Sequence, residues 1–245
     1  MTCHFVRWTS TEALPDLQRL PDTLIAAVHG FPAKRCERYL KSRALLAEMM
    51  FIFFGYPVLP EITQSLDGRP CFIDPHLPDF SLAYAGNTIA ILLSEEGHVG
   101  IDVEIVHVRP GNQTPQHMLA QTPAEQAWIE AQSDPLEAAT QLCTLRQSIK
   151  KLAASNQNRT DSLKLYPASG RLRSSQFAAL DVISDIDDYL AWACARIPVL
   201  NHLTTWVYQG NGVMLKTGEI VQQQRQSRRY IRLTSQVADK VVIDS

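Results

Sequence analysis

The run Val99-Gly100-Ile101-Asp102-Val103-Glu104-Ile105 alternates apolar, mostly β-branched residues with two acids. Such alternation predicts a strand, because successive side chains on a strand point to opposite faces. Asp102 and Glu104 then share one face, and Ile101, Val103 and Ile105 share the other. Two neighbouring carboxylates repel. They are tolerated where the face is solvated, or where a divalent cation sits between them, and oxygen ligands of this kind suit Mg²⁺ or Mn²⁺ better than zinc. An exposed acidic strand face is the plainer alternative, since short motifs match by chance.

Around this run the sequence divides into two mixed halves. In the first, apolar residues recur every three to four positions through Tyr39, Leu40, Leu45, Leu46 and Met49. They predict a helix that starts near Pro32 and is stopped by Gly55-Tyr56-Pro57. Its other face is basic, with Lys34, Arg35, Arg38, Lys41 and Arg43. Short strands are expected at 71–73, 80–84, 89–94 and 99–105, separated by Asp-Gly, Gly-Asn and Glu-Gly turn signals. Their close spacing suggests one antiparallel sheet.

The segment 108–123 turns polar and proline-rich and reads as a linker. Thr122-Pro123-Ala124-Glu125 then carries the cap, proline and acid of a helix start, with a helix to about residue 132. Asp134-Pro135 opens a longer helix to about residue 154. Strands are expected at 162–166, 170–174, 189–196 and 204–209. Residues 222–232, with four arginines and four glutamines, read as a solvated helix or a mobile segment. The expected organisation is a lobe over 1–108, a lobe over 109–210 and an extension over 211–245.

Composition excludes several classes. With 23 basic and 25 acidic residues the net charge is −2, which gives no global attraction to nucleic acid or an anionic membrane. The five cysteines are scattered, odd in number and never spaced C-x-x-C. That pattern predicts free thiols in a reducing compartment, and a cytoplasmic location. The most apolar stretch, 45–59, contains Glu48, Gly55 and Pro57 and is too short to cross a bilayer, so it reads as a buried helix. No export signal precedes it.

Four segments in order carry a family resemblance. They are Asp67-Gly68-Arg69-Pro70, Phe80-Ser81-Leu82-Ala83-Tyr84-Ala85-Gly86, Gly100-Ile101-Asp102-Val103-Glu104, and Cys143-Thr144-Leu145-Arg146-Gln147-Ser148-Ile149-Lys150-Lys151. In order and spacing they resemble the 4′-phosphopantetheinyl transferases, in a divergent branch of the holo-acyl-carrier-protein synthase type. Those enzymes read G-K-P, F-S-L-S-H-S, G-x-D-x-E and W-x-x-K-E-x-x-x-K at these places. The likeness covers residues 34–152. This chain departs from the pattern at Ala83-Tyr84-Ala85, at Cys143, and at Arg146-Gln147, where the family has Lys-Glu.

The resemblance implies an α+β fold of two similar α/β lobes related by a pseudo-twofold, with the active site between them, in a monomer. It implies transfer of the 4′-phosphopantetheine arm of coenzyme A to a serine of an acyl or peptidyl carrier protein. Asp102, Glu104 and Gln147 become the expected Mg²⁺ or Mn²⁺ ligands, and Asp102, Glu104 and Lys151 the catalytic set. Lys34, Arg38, Arg43, Gly68, Arg69, Pro70, Tyr84 and Lys151 become the coenzyme A contacts. Arg43, which precedes Ala44-Leu45-Leu46, matches the family's R-x-L-L and is the expected anchor of the 3′-phosphate. Tyr84 donates a hydrogen bond but carries no positive charge at neutral pH. Gln147 coordinates a hard cation but cannot accept a proton, so the base must be Glu104, Asp102 or water. The alternative is a homologue without transfer activity that binds coenzyme A or a carrier protein.

Overall fold

The computed structural model describes residues 2–9, 16–66, 68–106, 122–153, 163–175, 177, 179–221 and 229–235. The chain opens with β1 (Cys3–Thr9), α1 (Asp22–Ala26), α2 (Ala33–Phe54), β2 (Ile62–Gln64) and β3 (Pro70–Phe72). It continues through β4 (Asp79–Ala85), β5 (Thr88–Ser94), β6 (His98–Ile105), α3 (Pro123–Glu130) and α4 (Pro135–Ala153). The remaining strands are β7 (Lys164–Tyr166), β8 (Arg171–Arg173), β9 (Asp181–Asp187), β10 (Leu190–Ile197), β11 (His202–Gly210), β12 (Val213–Val221) and β13 (Ile231–Ser235).

Local chemistry sets the helix ends. Gly55 sits at φ 75°, the left-handed conformation that closes α2, and its N–H bonds to the Phe51 carbonyl at 2.9 Å. Thr122 accepts the Glu125 N–H at 3.3 Å ahead of Pro123. Asp134 accepts from Leu136 and Glu137, each at 3.0 Å, and so caps α4.

The strands form two main sheets, ordered β12-β11-β1-β5-β4 and β6-β10-β9-β13-β8-β7, with β2 and β3 as a separate pair. Three apolar clusters show how they stack. One joins α2 to the first sheet, through Leu45, Leu46, Met49, Ile89, Ile91 and Leu93. A second lies between the sheets, through Phe5, Leu92, Ile101, Val103 and Trp192. The third joins the second sheet to α3 and α4, through Leu142, Leu145, Ile149, Val182 and Leu233. The layers are therefore helix, sheet, sheet, helix. β5 lies in the interior, so both of its faces are apolar and all seven of its residues are buried. Full burial of each large aliphatic side chain contributes about 1.5–3 kcal/mol.

The α+β class is as expected, and one long helix on each sheet is compatible with two α/β lobes. One expectation is corrected. The strands of the first half do not make one antiparallel sheet: β4 and β5 pair, but β6 pairs with β10 in the other sheet. Sheet membership also crosses the boundaries at 108 and 210, since β11 and β12 join β1, while β13 lies between β9 and β8. Residues 213–221 and 231–235 are strands of these two sheets. The segments 107–121, 154–162 and 222–228, and Asp67, lie outside the described residues. Among the described residues, no helix is long and apolar enough to cross a membrane.

Candidate active site

β4 and β6 are edge strands of different sheets, and their edges face one another. An open edge leaves backbone groups unpaired. Here side chains of β4 satisfy them: Asp79 Oδ2 accepts the Val99 N–H at 2.9 Å, and Ser81 Oγ accepts the Ile101 N–H at 3.1 Å. The Arg69 guanidinium closes the same seam. One of its terminal nitrogens donates to Asp79 at 2.6 Å, to the Phe80 carbonyl at 2.9 Å and to the Val99 carbonyl at 2.8 Å.

Alternation along β6 does the rest. Ile101 and Val103 are buried between the sheets, so Gly100, Asp102 and Glu104 face α4. The helix lies so close that a methyl group at Gly100 would collide with the Ser148 carbonyl and come within 2.9 Å of Leu152 N. This close approach sets α4 against the acids. Lys151 Nζ donates to Asp102 Oδ1 at 2.8 Å and to the Leu82 carbonyl of β4 at 3.2 Å, so it bonds both sides of the seam.

Burial pushes the Asp102 carboxyl above its ordinary range, and Lys151 opposes that shift while the charge of Glu104 adds to it. Cys143, two turns before Lys151 on α4, feels the same acids. Burial raises its thiol to about 11, with the charges of Asp102 and Glu104 contributing next. Gln147 is half-buried, one turn from each of Cys143 and Lys151. It therefore belongs to the helix strip that faces the two carboxylates. Among the described residues, no group of three or more His, Cys, Asp or Glu side chains is placed to hold a metal ion. The donors are the two carboxylates of β6 and one amide of α4, all offering hard oxygens. A single lysine leaves the pair with excess negative charge, and this set fits a hard divalent cation.

Two cavities open along β4. The first, of about 270 Å³, is lined by Gly68, Arg69, Pro70, Ser81, Leu82 and Lys151, among others. The second, of about 310 Å³, is lined by Lys34, Glu37, Arg38 and Lys41 of α2 together with Tyr84 and the turn at Gly86 and Asn87. Leu82 and Tyr84 are two residues apart on the strand, so the cavities are neighbours along it. The Arg38 guanidinium lies over the Tyr84 ring, 5.1 Å from its centre. Lys41 pairs with Glu37 at 2.5 Å.

The structure thus sets Asp102 and its partner Lys151 beside Glu104 at the seam, Gly68, Arg69 and Pro70 at the first cavity, and Lys34, Arg38 and Tyr84 at the second, with Gln147 one helical turn from Lys151. Arg43 lines neither. It is buried, its guanidinium lies 4.2 Å over the Tyr39 ring, it donates to Ser42 Oγ at 3.1 Å, and among the described residues its Nε has no hydrogen-bond partner. Arg146, set against the family's lysine, turns the other way and pairs with buried Glu125 of α3. Sequence reading missed Lys41 as a cavity residue, and Asp79 and Ser81 as stitches. The polar i, i+2 spacing of Asp79 and Ser81 was their only local signal.

Over 216 residues, 86% of this chain and 86% of the relative, the chain is 37% identical to the uncharacterized protein YieE of Escherichia coli (strain K12). It is 42% identical over 76 residues to the 4′-phosphopantetheinyl transferase AcpT of the same strain, covering 31% of this chain and 35% of that one. A third similarity, 38% over 92 residues, is to AcpT of Salmonella typhi, covering 37% of this chain and 43% of the relative. No family model matches the chain.

Proposed function

The chain belongs to the family of the Escherichia coli protein YieE, and we propose that it is a 4′-phosphopantetheinyl transferase acting on an acyl or peptidyl carrier protein. The observation that carries this reading is the pair of adjoining cavities on β4, one rimmed by cations of α2 and the other ending at Lys151 beside Asp102. Coenzyme A is a ligand with two separated phosphate groups, and this surface offers two separated cationic stations. The partial likeness to AcpT supports the same reading.

In the proposed reaction the carrier's serine oxygen bonds to the phosphorus that bears the pantetheine arm. The bond from that phosphorus to the bridging oxygen breaks, 3′,5′-adenosine bisphosphate leaves, and the serine proton is lost. Lys34 and Arg38, with Lys41, bind the 3′-phosphate in the second cavity through charged hydrogen bonds. Lys151 binds the pyrophosphate. Gly68, at φ 76°, gives the turn before Arg69 and Pro70 its left-handed shape and lets backbone approach the adenine closely. Arg69 holds that turn to β4 and β6 rather than reaching for the ligand.

Asp102, Glu104 and Gln147 would hold Mg²⁺ or Mn²⁺, which when bound neutralises charge on the pyrophosphate oxygens. The amide of Gln147 cannot take the serine proton, which leaves Glu104, Asp102 or water to accept it. The same amide, with the uncharged Tyr84, favours a second reading, a homologue that binds coenzyme A or a carrier without transfer. Calorimetry of coenzyme A binding with and without Mg²⁺ tests the site that both readings share. The native protein should bind more tightly with Mg²⁺, and Asp102→Ala should lose that dependence. Equal Mg²⁺ dependence in the variant would remove Asp102 from the site.

A further inference from the structure

We propose that Lys151 is a gate that couples the two ligands of this site: its ammonium occupies Asp102 until ligand phosphate draws it away and admits the cation. The inference rests on the functional reading above and concerns the order in which that site fills.

The geometry argues for it in three steps. Lys151 lines the first cavity, and Asp102 does not; the two are joined by the 2.8 Å ion pair. The lysine side chain is 37% exposed and that of the acid only 15%, so the ammonium is what an arriving ligand meets first. Two of the three ammonium donors are spent on Asp102 and on the Leu82 carbonyl, which leaves a third for a ligand oxygen.

The electrostatics then sets the sign of the coupling. While the ammonium stays on Asp102, a divalent cation must displace it or bind against its charge, so the free protein should bind cations weakly. Phosphate oxygens compete with Asp102 for the lysine. Each lysine contact transferred to phosphate uncovers carboxylate, and each cation bound at the carboxylates frees the lysine for phosphate. The coupling must be reciprocal, because both ligands bias the same two positions of one side chain. Lysine suits the role, being a point charge on a flexible stem that moves between acceptors without a fixed geometry.

The test measures Mn²⁺ binding to the free protein, without coenzyme A, by electron paramagnetic resonance of unbound Mn²⁺. Lys151→Met should tighten Mn²⁺ binding about tenfold, within the range usual for coupled sites, while Lys150→Met, which removes the same charge one residue earlier, should change it by less than about twofold. Lys151→Gln is the second variant, and circular dichroism melts confirm that each is folded. An unchanged or weakened Mn²⁺ affinity in both folded Lys151 variants overturns the gate; if the native protein still binds coenzyme A in a Mg²⁺-dependent way, the functional reading survives that result. Absence of both Mn²⁺ and coenzyme A binding in the native protein overturns both.

Discussion

Arg43 and Arg38 sit on one helix and divide the labour that sequence alone assigned mainly to the first. Arg43 matches a family position and is only 8% exposed, stacked on Tyr39. Arg38 matches nothing so specific, yet it lies on the Tyr84 ring and lines a cavity. Burial could not be read locally, because both arginines lie on the basic side of the helical pattern and yet Arg43 is buried. Arg38→Ala should weaken coenzyme A binding by about 1.5–3 kcal/mol, the scale of a charged hydrogen bond, and dephospho-coenzyme A binding far less. Arg43→Ala should instead lower the melting temperature and weaken both ligands alike. Calorimetry with the two ligands and a thermal melt of each variant separate these outcomes. A selective loss for coenzyme A in Arg43→Ala would restore it as the phosphate anchor.

At the scale of elements, those with strong local signals were legible. α2, α3 and α4 declare themselves through periodicity and through Pro32, Gly55, Thr122-Pro123 and Asp134-Pro135. β4, β5 and β6 declare themselves through runs of apolar residues bounded by turns. β9 and β13 did not. Asp181, Asp185 and Asp187 make β9 look polar, although Asp181 is buried against Arg232 of β13, a partner 51 residues away. The sheet that receives β6 was equally hidden, because its neighbour β10 lies far along the chain. Gly100 is the case where an element contact explains a motif residue: it gives α4 the room to bring Lys151 to Asp102. Gly100→Ala should cost about 1–3 kcal/mol through overpacking, and should weaken coenzyme A binding as α4 shifts. Gly30→Ala, where an added methyl meets nothing within 4 Å, is the control. Denaturant melts of the two variants check the contrast, and equal stability would mean that α4 does not depend on the glycine.

The whole molecule depends on the first sheet staying under α2, and His4 reports on that contact. It lies on β1, stacks on Phe53 of α2 with ring centres 4.1 Å apart, and accepts a hydrogen bond from Trp206 Nε1 of β11 at 3.3 Å. Burial, with the nearby His202 adding its charge, lowers the His4 imidazole to about 4, against 6.5 for the free group. The folded protein therefore holds His4 neutral, whereas the unfolded chain protonates it near 6.5. The unfolded state binds more protons between those values, so the contribution of His4 to stability is lost as pH falls from about 6.5 towards 4. His4→Gln keeps an acceptor for Trp206 and removes the titration. Its melting temperature should fall less steeply than that of the native protein across this window, and parallel profiles would remove His4 as a source of acid sensitivity.

The two sheets, with one long helix on each, form a scaffold whose facing edges carry the acids and border both cavities, with Lys151 brought in by α4. The proposed reaction is transfer of a phosphopantetheine arm at this seam. The direct measurement is to incubate the native protein with Mg²⁺, coenzyme A and a panel of apo acyl and peptidyl carrier proteins, and to weigh each carrier by mass spectrometry. At least one carrier should gain the mass of one 4′-phosphopantetheine on its serine, only with Mg²⁺ present, and Asp102→Ala should abolish the gain. No gain on any carrier, by a protein that binds coenzyme A under the same conditions, would contradict transfer and leave a coenzyme A-binding protein.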